Sequence, residues 1–291
     1  MVDLLKPILE RTDDEIRDLA LKIVKDGSIV LHEQDLTQAQ HIEACRRFGK
    51  MDRNEYFMNP VNAREISIVS GQRNDEGKRI GMFGDTELEW HQNGSARHEF
   101  EDIIVSLYCV EECIDTVLSI CDQATCFAEL PAEIQEKYRG IDIHLDHVHD
   151  AIYKISEHDV PGVDLEPSAE IRTGKEFYND ESSNNHHETV DRRKLVGIHP
   201  VDGREYLYFA LPFMVGASID DVMMTDEEFK DFYDEMWGYL FKSKYMKHHV
   251  FRRGDLLIMD QLHTIHRRSP IQYLERQLWR TAFDYTNIDF T

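Results

Sequence analysis

No stretch of this chain approaches the ~20 consecutive apolar residues needed to cross a bilayer. Residues 1–11 hold no apolar run leading into a small-residue cleavage site. Both absences predict a cytoplasmic protein with no membrane partner. Cysteine is scarce: the five present (Cys45, Cys109, Cys113, Cys121 and Cys126) are odd in number and lack CxxC spacing. That argues against a disulfide framework or a zinc ribbon and for buried, reduced thiols. Neither a GxGxxG nor a Walker-type glycine and lysine pattern occurs, so nucleotide-driven chemistry has no motif to rest on. Basic residues are also short, with 33 Lys and Arg against 56 Asp and Glu and a formal charge of -23. Such a charge repels nucleic-acid phosphates and anionic lipid. Its main effect is solubility, and it mildly favours a small cationic or zwitterionic substrate.

What is present is an ordinary core-forming composition. A chain of 291 residues with 41% apolar content can fill one large domain with insertions, and a single domain over residues 1–291 is expected. Capping boxes start three helices: Thr12 with Glu15, Thr37 with Gln40, and Thr225 with Glu228. The first carries Ile16, Leu19, Ala20 and Ile23 on one stripe and stops near Gly27. The second carries Ala39, Ile42 and Ala44 and stops at Gly49. The third, over 225–242, places Phe229, Phe232, Tyr233 and Trp237 at helical spacing, with Met223 and Met224 before it.

Short β-branched or alternating runs at 28–32, 66–70, 103–109, 116–121, 141–147, 205–210, 256–260 and 277–285 read as strands. Many short strands with few long helices predict a mainly β protein with flanking helices, a double-sheet roll and not a doubly wound parallel sheet. Residues 150–193 break the texture as a polar insertion, which reads as a lid over a site or as a surface loop.

Chemistry concentrates in two places. Trp90-His91-Gln92-Asn93 presents two ligand-type side chains at i and i+2, and His266 follows a strand opened by Gly254-Asp255. A two-histidine, one-carboxylate face leaves the opposite positions of an iron(II) ion free for a chelating co-substrate and dioxygen. Here the carboxylate position carries an amide. Arg276 and Arg280 lie near and within the strand-like run 277–281, and a planar guanidinium grips a carboxylate bidentately. Other histidines are less telling: Asp146-His147-Val148-His149-Asp150 reads as a polar edge, His186-His187 and His248-His249 are adjacent pairs, and His263 is either a supporting partner or a loop residue.

The order of these pieces resembles the taurine dioxygenase (TauD/TfdA) family of iron(II)- and 2-oxoglutarate-dependent oxygenases, over most of the chain. Residues 27–37 ending in Arg46-Arg47-Phe48-Gly49 resemble its N-terminal strand and helix, and Phe83-Gly84-Asp85 to Glu89-Trp90-His91 the approach to its HxD motif. His199-Pro200-Val201-Asp202-Gly203-Arg204 resembles its HPxTGR-type stretch, and residues 253–260 leading to His266 its last conserved block. The resemblance implies a distorted double-stranded β-helix, the jelly roll. It further implies iron(II) held by His91, His266 and the residue at 93, with 2-oxoglutarate bound by Thr116 and Arg280 and supported by Arg276. The implied reaction, with dioxygen, oxidises a C–H bond of a small molecule, by hydroxylation in the usual case, as 2-oxoglutarate becomes succinate and CO2.

Asn93 departs from the family pattern, which has Asp there. An amide offers only a neutral carbonyl oxygen, so affinity for the metal should fall. Four readings stand open. Asn93 ligates through its carbonyl; it stands aside for water or halide, as in a halogenase; Glu99 or Asp102 substitutes; or the site is lost and a non-catalytic jelly-roll binding protein remains. A homo-oligomer is the base expectation for a soluble enzyme.

Overall fold

The computed structural model describes residues 2–52, 58–83, 88–93, 103–114, 116–145, 191–269 and 273–290. Three helices begin at the capping boxes read from sequence: α1 (Asp13–Asp26), α2 (Gln38–Arg46) and, later in the chain, a helix over Asp226–Leu240. Their Thr side chains accept from the Glu or Gln amide three residues on, and that residue's side chain returns the bond. α1 buries Ile16, Leu19, Ala20 and Ile23 as expected and stops at Gly27, whose φ of 74° is the left-handed cap. α2 ends at Arg46, short of Gly49, and its buried stripe is His41, Ile42, Ala44 and Cys45 with Ala39 exposed. His41 displaces the expected alanine because its Nε2 finds Ser106 Oγ at 2.8 Å under the sheet.

The strands are β1 (Ser28–Leu31), β2 (Ser67–Ser70), β3 (Leu88–His91), β4 (Ile104–Glu111), β5 (Leu118–Asp122), β6 (Ile141–Leu145), β7 (Asp191–Lys194), β8 (Val196–Ile198), β9 (Glu205–Leu207), β10 (Met214–Ile219), β11 (Val222–Met223), β12 (Met246–His249), β13 (Leu256–Asp260), β14 (Thr264–Arg268) and β15 (Gln277–Phe283). Helices α3 (Gln123–Glu129) and α4 (Ala132–Arg139) follow β5, and α5 is the Asp226–Leu240 helix. Two antiparallel sheets frame the roll, in the orders β1-β13-β4-β15-β2 and β12-β5-β14-β3. A third, β11-β10-β6-β7, and the pair β8-β9 flank them.

The sequence pattern of the central strands follows from burial on both faces. In β13, Leu256 and Ile258 pack outward against α1 and α2, while Leu257 and Met259 pack inward. In β4, Ile104 and Tyr108 face the helices, and Val105, Leu107 and Cys109 join Leu118 and Ile120 of β5 between the sheets. A second core lies beyond β14, where Trp90, Cys121 and Ile265 meet Phe229, Phe232, Tyr233 and Trp237 of α5. That aromatic stripe is therefore core. All five cysteines are buried, with no disulfide. The polar insertion read as a lid lies outside the described residues except for 191–193 in β7, as do Asp146 to Asp150 and His186-His187. Among the described residues no helix is long and apolar enough to cross a membrane.

Gly254, in the turn before β13, holds φ at 84°, and a Cβ there would sit 2.8 Å from the Gln34 carbonyl oxygen. The Gln34 amide donates to the Gly254 carbonyl at 2.8 Å, so this turn ties β13 to the segment after β1. Gly254→Ala combines a left-handed backbone with a backbone clash and is expected to destabilise by more than about 1 kcal/mol. Urea unfolding checks this; an unchanged midpoint would show that the turn relaxes without loss.

Candidate active site

β14 pairs with β3 on one side and β5 on the other, and its register sets His266 directly opposite His91. The two imidazoles lie with ring centroids 4.4 Å apart. His91 Nδ1 is 2.5 Å from the Glu89 carbonyl oxygen. A carbonyl only accepts, so that nitrogen carries the proton and Nε2 keeps its lone pair. Asn93 sits at the third corner with its Nδ2 3.5 Å from His266 Nε2. An amide flip would exchange that nitrogen for the carbonyl oxygen at the same place. Both rings are held neutral, the protonation state in which they can ligate a cation. Burial pushes His91 down to about 4, helped by Arg268 and Arg280. His266 is driven well below its ordinary value by burial, then by His91 and Arg280.

Across from this face stands the inward side of β15. Leu278, Arg280 and Ala282 share that side by strand alternation, and Arg276 just precedes them. His91, Asn93, His266, Thr116, Arg276 and Arg280 all line one cavity between the two framing sheets. Every site residue predicted from sequence is thus brought to one place. Its remaining walls are largely apolar, including Val69, Leu107, Leu118 and Phe251. Glu99 and Asp102, the candidate substitute carboxylates, lie outside the described residues. Met223 is exposed and Met224 packs on the α5 core, so neither is among the described lining residues.

Three features went unread in the sequence. Arg268, on the same face of β14 as His266, is a third guanidinium on the cavity, and no carboxylate is found among its described lining residues. Arg268 Nη1 and Arg276 Nη2 both donate to the Phe83 carbonyl at 2.7 Å. Those two charged donors hold Phe83 at a φ of 55°, an uncommon conformation for a bulky residue. The third feature is a glutamine cluster behind the ligand face. Gln261 Oε1 accepts from the Asn93 amide at 2.7 Å and Gln261 Nε2 donates to the Asn93 carbonyl at 3.4 Å. Gln92 Nε2 donates to Gln123 Oε1 at 2.9 Å and to the Gln261 carbonyl at 2.6 Å. A period-2 reading of 264–268 as a strand could have exposed Arg268; nothing local marks the glutamines.

These elements define a jelly-roll scaffold with a two-histidine, one-amide face opposite an arginine-lined wall, the arrangement of a non-haem iron oxygenase. Residues 2–282 match the family described as taurine catabolism dioxygenase TauD, TfdA family. The chain belongs to that family of iron(II)- and 2-oxoglutarate-dependent dioxygenases. Solved structures share its fold at low identity. A taurine dioxygenase from Burkholderia xenovorans superposes with a TM-score of 0.67 at 17% identity, covering 97% of this chain and 83% of that one. A putative alpha-ketoglutarate-dependent taurine dioxygenase from the same organism gives 0.68 at 16%, over 97% and 84%. AAD-2, in complex with Mn(II) and N-oxalylglycine, gives 0.69 at 18%, over 98% and 92%. Family members use iron(II) and 2-oxoglutarate.

The residues present fit such a cation. Two neutral imidazoles face each other, and His266 Nδ1 is buried with no hydrogen-bond partner of its own. Gln261 clamps the backbone of Asn93 from both sides, which makes it a positioning residue. Gln261→Leu is expected to weaken iron(II) binding on the order of tenfold, as loss of a supporting partner typically does. Anaerobic iron titration with circular dichroism as a folding control measures it, and unchanged affinity in a folded variant would remove Gln261 from the site.

Proposed function

We propose that the protein hydroxylates a C–H bond of a small molecule, an amino acid, with 2-oxoglutarate converted to succinate and CO2. The observation that carries this is the convergence of His91, Asn93, His266, Thr116, Arg276 and Arg280 on one cavity. His91, His266 and the Asn93 carbonyl would hold iron(II). Thr116 and Arg280 would take the distal carboxylate of 2-oxoglutarate, with Arg276 in support. The chemistry that iron(II) and 2-oxoglutarate supply when bound is the activation of dioxygen. The chain's own part is positioning: β3 and β14 orient the ligands, β15 aims the guanidinium groups, and Val69, Leu107 and Leu118 keep water from the reacting centre.

An arginine fork on the cavity wall can grip a carboxylate bidentately, so a ligand that carries an anionic group, such as an amino acid, suits this site better than a bare amine. Two neutral imidazoles and an amide carbonyl would leave the charge of iron(II) unbalanced, and a dianionic co-substrate would offset it, so 2-oxoglutarate and iron(II) should bind with positive coupling.

Anaerobic titration with iron(II) and 2-oxoglutarate is expected to give the visible absorption of the chelate, followed by succinate release on admitting air. Absence of both would favour a jelly roll that binds without turnover. Asn93→Asp should tighten iron binding on the order of tenfold, because a charged oxygen replaces a neutral one; unchanged affinity would show that position 93 does not ligate.

Arg280→Ala is expected to weaken 2-oxoglutarate binding by about 2–5 kcal/mol, the usual loss on removing one partner of a buried charged pair. Iron binding without co-substrate should not weaken. If the 2-oxoglutarate constant stays put, the anion clamp lies elsewhere.

A further inference from the structure

Away from the cavity, two more histidines meet a carboxylate. His199 follows β8, Asp202 and Arg204 sit in the turn to β9, and His263 lies in the turn between β13 and β14. His199 and His263 are buried with ring centroids 4.1 Å apart, and Asp202 is about a quarter exposed. None of the three lines the cavity of His91 and His266.

The hydrogen bonds decide which ring nitrogens carry protons. His199 Nε2 lies 2.9 Å from Asp260 Oδ2, and that carboxylate otherwise collects donors, from Tyr285 Oη at 2.8 Å and the Leu262 and His263 amides. Nε2 is therefore the donor, and His199 Nδ1 keeps a lone pair. His263 Nδ1 lies 2.9 Å from the Val24 carbonyl oxygen, which only accepts, and 3.2 Å from Arg204 Nη2, which only donates; in the tautomer that takes the shorter contact, His263 Nε2 keeps its lone pair. That Nε2 is buried with no hydrogen-bond partner. Asp202 Oδ1 stands 3.3 Å from His199 Nδ1 and 3.7 Å from His263 Nε2, and the three ligand atoms lie within 4.8 Å of one another. Three ligand-type atoms thus lie close to one another. Ligand atoms about 2.0–2.1 Å from a tetrahedral ion are roughly 3.3–3.4 Å apart, close to the two spacings measured.

The surroundings are those of a built site. His199 donates its other N–H to the Asp260 carboxylate and His263 Nδ1 lies against the Val24 backbone carbonyl, contacts of the kind that orient metal-ligating histidines. Arg204 Nε holds the second oxygen of Asp202 at 2.5 Å, and its Nη2 shares the Val24 carbonyl with His263 and lies 3.2 Å from His263 Nδ1. The Val201 amide, 3.2 Å from His199 Nδ1, is the donor that an ion would displace.

We propose that His199, His263 and Asp202 form a second metal site, for zinc or a similar borderline divalent ion, completed by solvent on the open side of Asp202. Two nitrogens and one oxygen in tetrahedral reach suit such an ion, whereas calcium and magnesium require mostly oxygen. The ion would pin the β8–β9 turn and the β13–β14 turn to α1, and His266 lies three residues after His263.

The test counts zinc. Chelator-treated protein is dialysed against zinc alone, and bound metal is measured for the wild type, Asp202→Asn, His263→Gln and a His91→Ala, His266→Ala double variant. Asp202→Asn and His263→Gln are each expected to lose the same one equivalent, with the iron and 2-oxoglutarate chelate band of Asp202→Asn unchanged. The double variant should keep that equivalent, whether or not the oxygenase reading holds. If Asp202→Asn binds as much zinc as the wild type, the proposal is overturned. Should His263→Gln fail to fold, Asp202→Asn decides alone, because its partly exposed side chain keeps its shape.

Discussion

The pairing of β14 between β3 and β5 is the constraint on which the rest of the site depends. Antiparallel register is all or nothing on each face, since a slip by one residue would turn His266 away from His91 and bring Ile265 into the polar cavity. Ile265 is fully buried on the opposite core with Trp90 and Cys121, and this apolar face resists such a slip. The ligand geometry is therefore enforced by hydrophobic packing one layer away. The pairing of β15 with β4 does the same for the guanidinium groups, with Trp279 and Phe283 packed outward so that Leu278 and Arg280 must face in.

Within a strongly acidic chain of charge -23, three guanidinium groups, those of Arg268, Arg276 and Arg280, converge on one cavity. Buried guanidinium groups are costly unless held by acceptors. The Phe83 carbonyl takes bonds from Arg268 and Arg276 at the expense of its own relaxed backbone. At position 93 a neutral amide stands where the family pattern has a carboxylate.

Much of this was legible in the sequence, and for physical reasons. Capping boxes are local hydrogen-bond exchanges, and all three formed where Thr12, Thr37 and Thr225 stand. β13 was readable as an apolar run because both its faces are covered. β14 was not: Thr264, His266 and Arg268 make its cavity face polar, and polar residues between turn-formers look like loop. β3, β10 and β12 likewise carry too little alternation to stand out from single-sequence pattern. His91, Asn93, Thr116, His266, Arg276 and Arg280 were found by their order along the chain and their likeness to a family, while Gln261 was not, because its role arises only from tertiary contact with the Asn93 backbone.

Asp260 shows how one buried carboxylate can serve both ends of this architecture. Burial alone would raise its pKa, but the His199 N–H, His263 and the Tyr285 hydroxyl hold it low and charged. Its Oδ1 takes the Leu262 and His263 amides, which shapes the turn leading into β14, and the Thr264 hydroxyl donates to its carbonyl at 2.6 Å. Its Oδ2 fixes the tautomer of His199 on the far side. A buried charge compensated by this many donors is expensive to disturb, so Asp260 ties the turn between β13 and β14 both to His199 and to the start of the strand that bears His266.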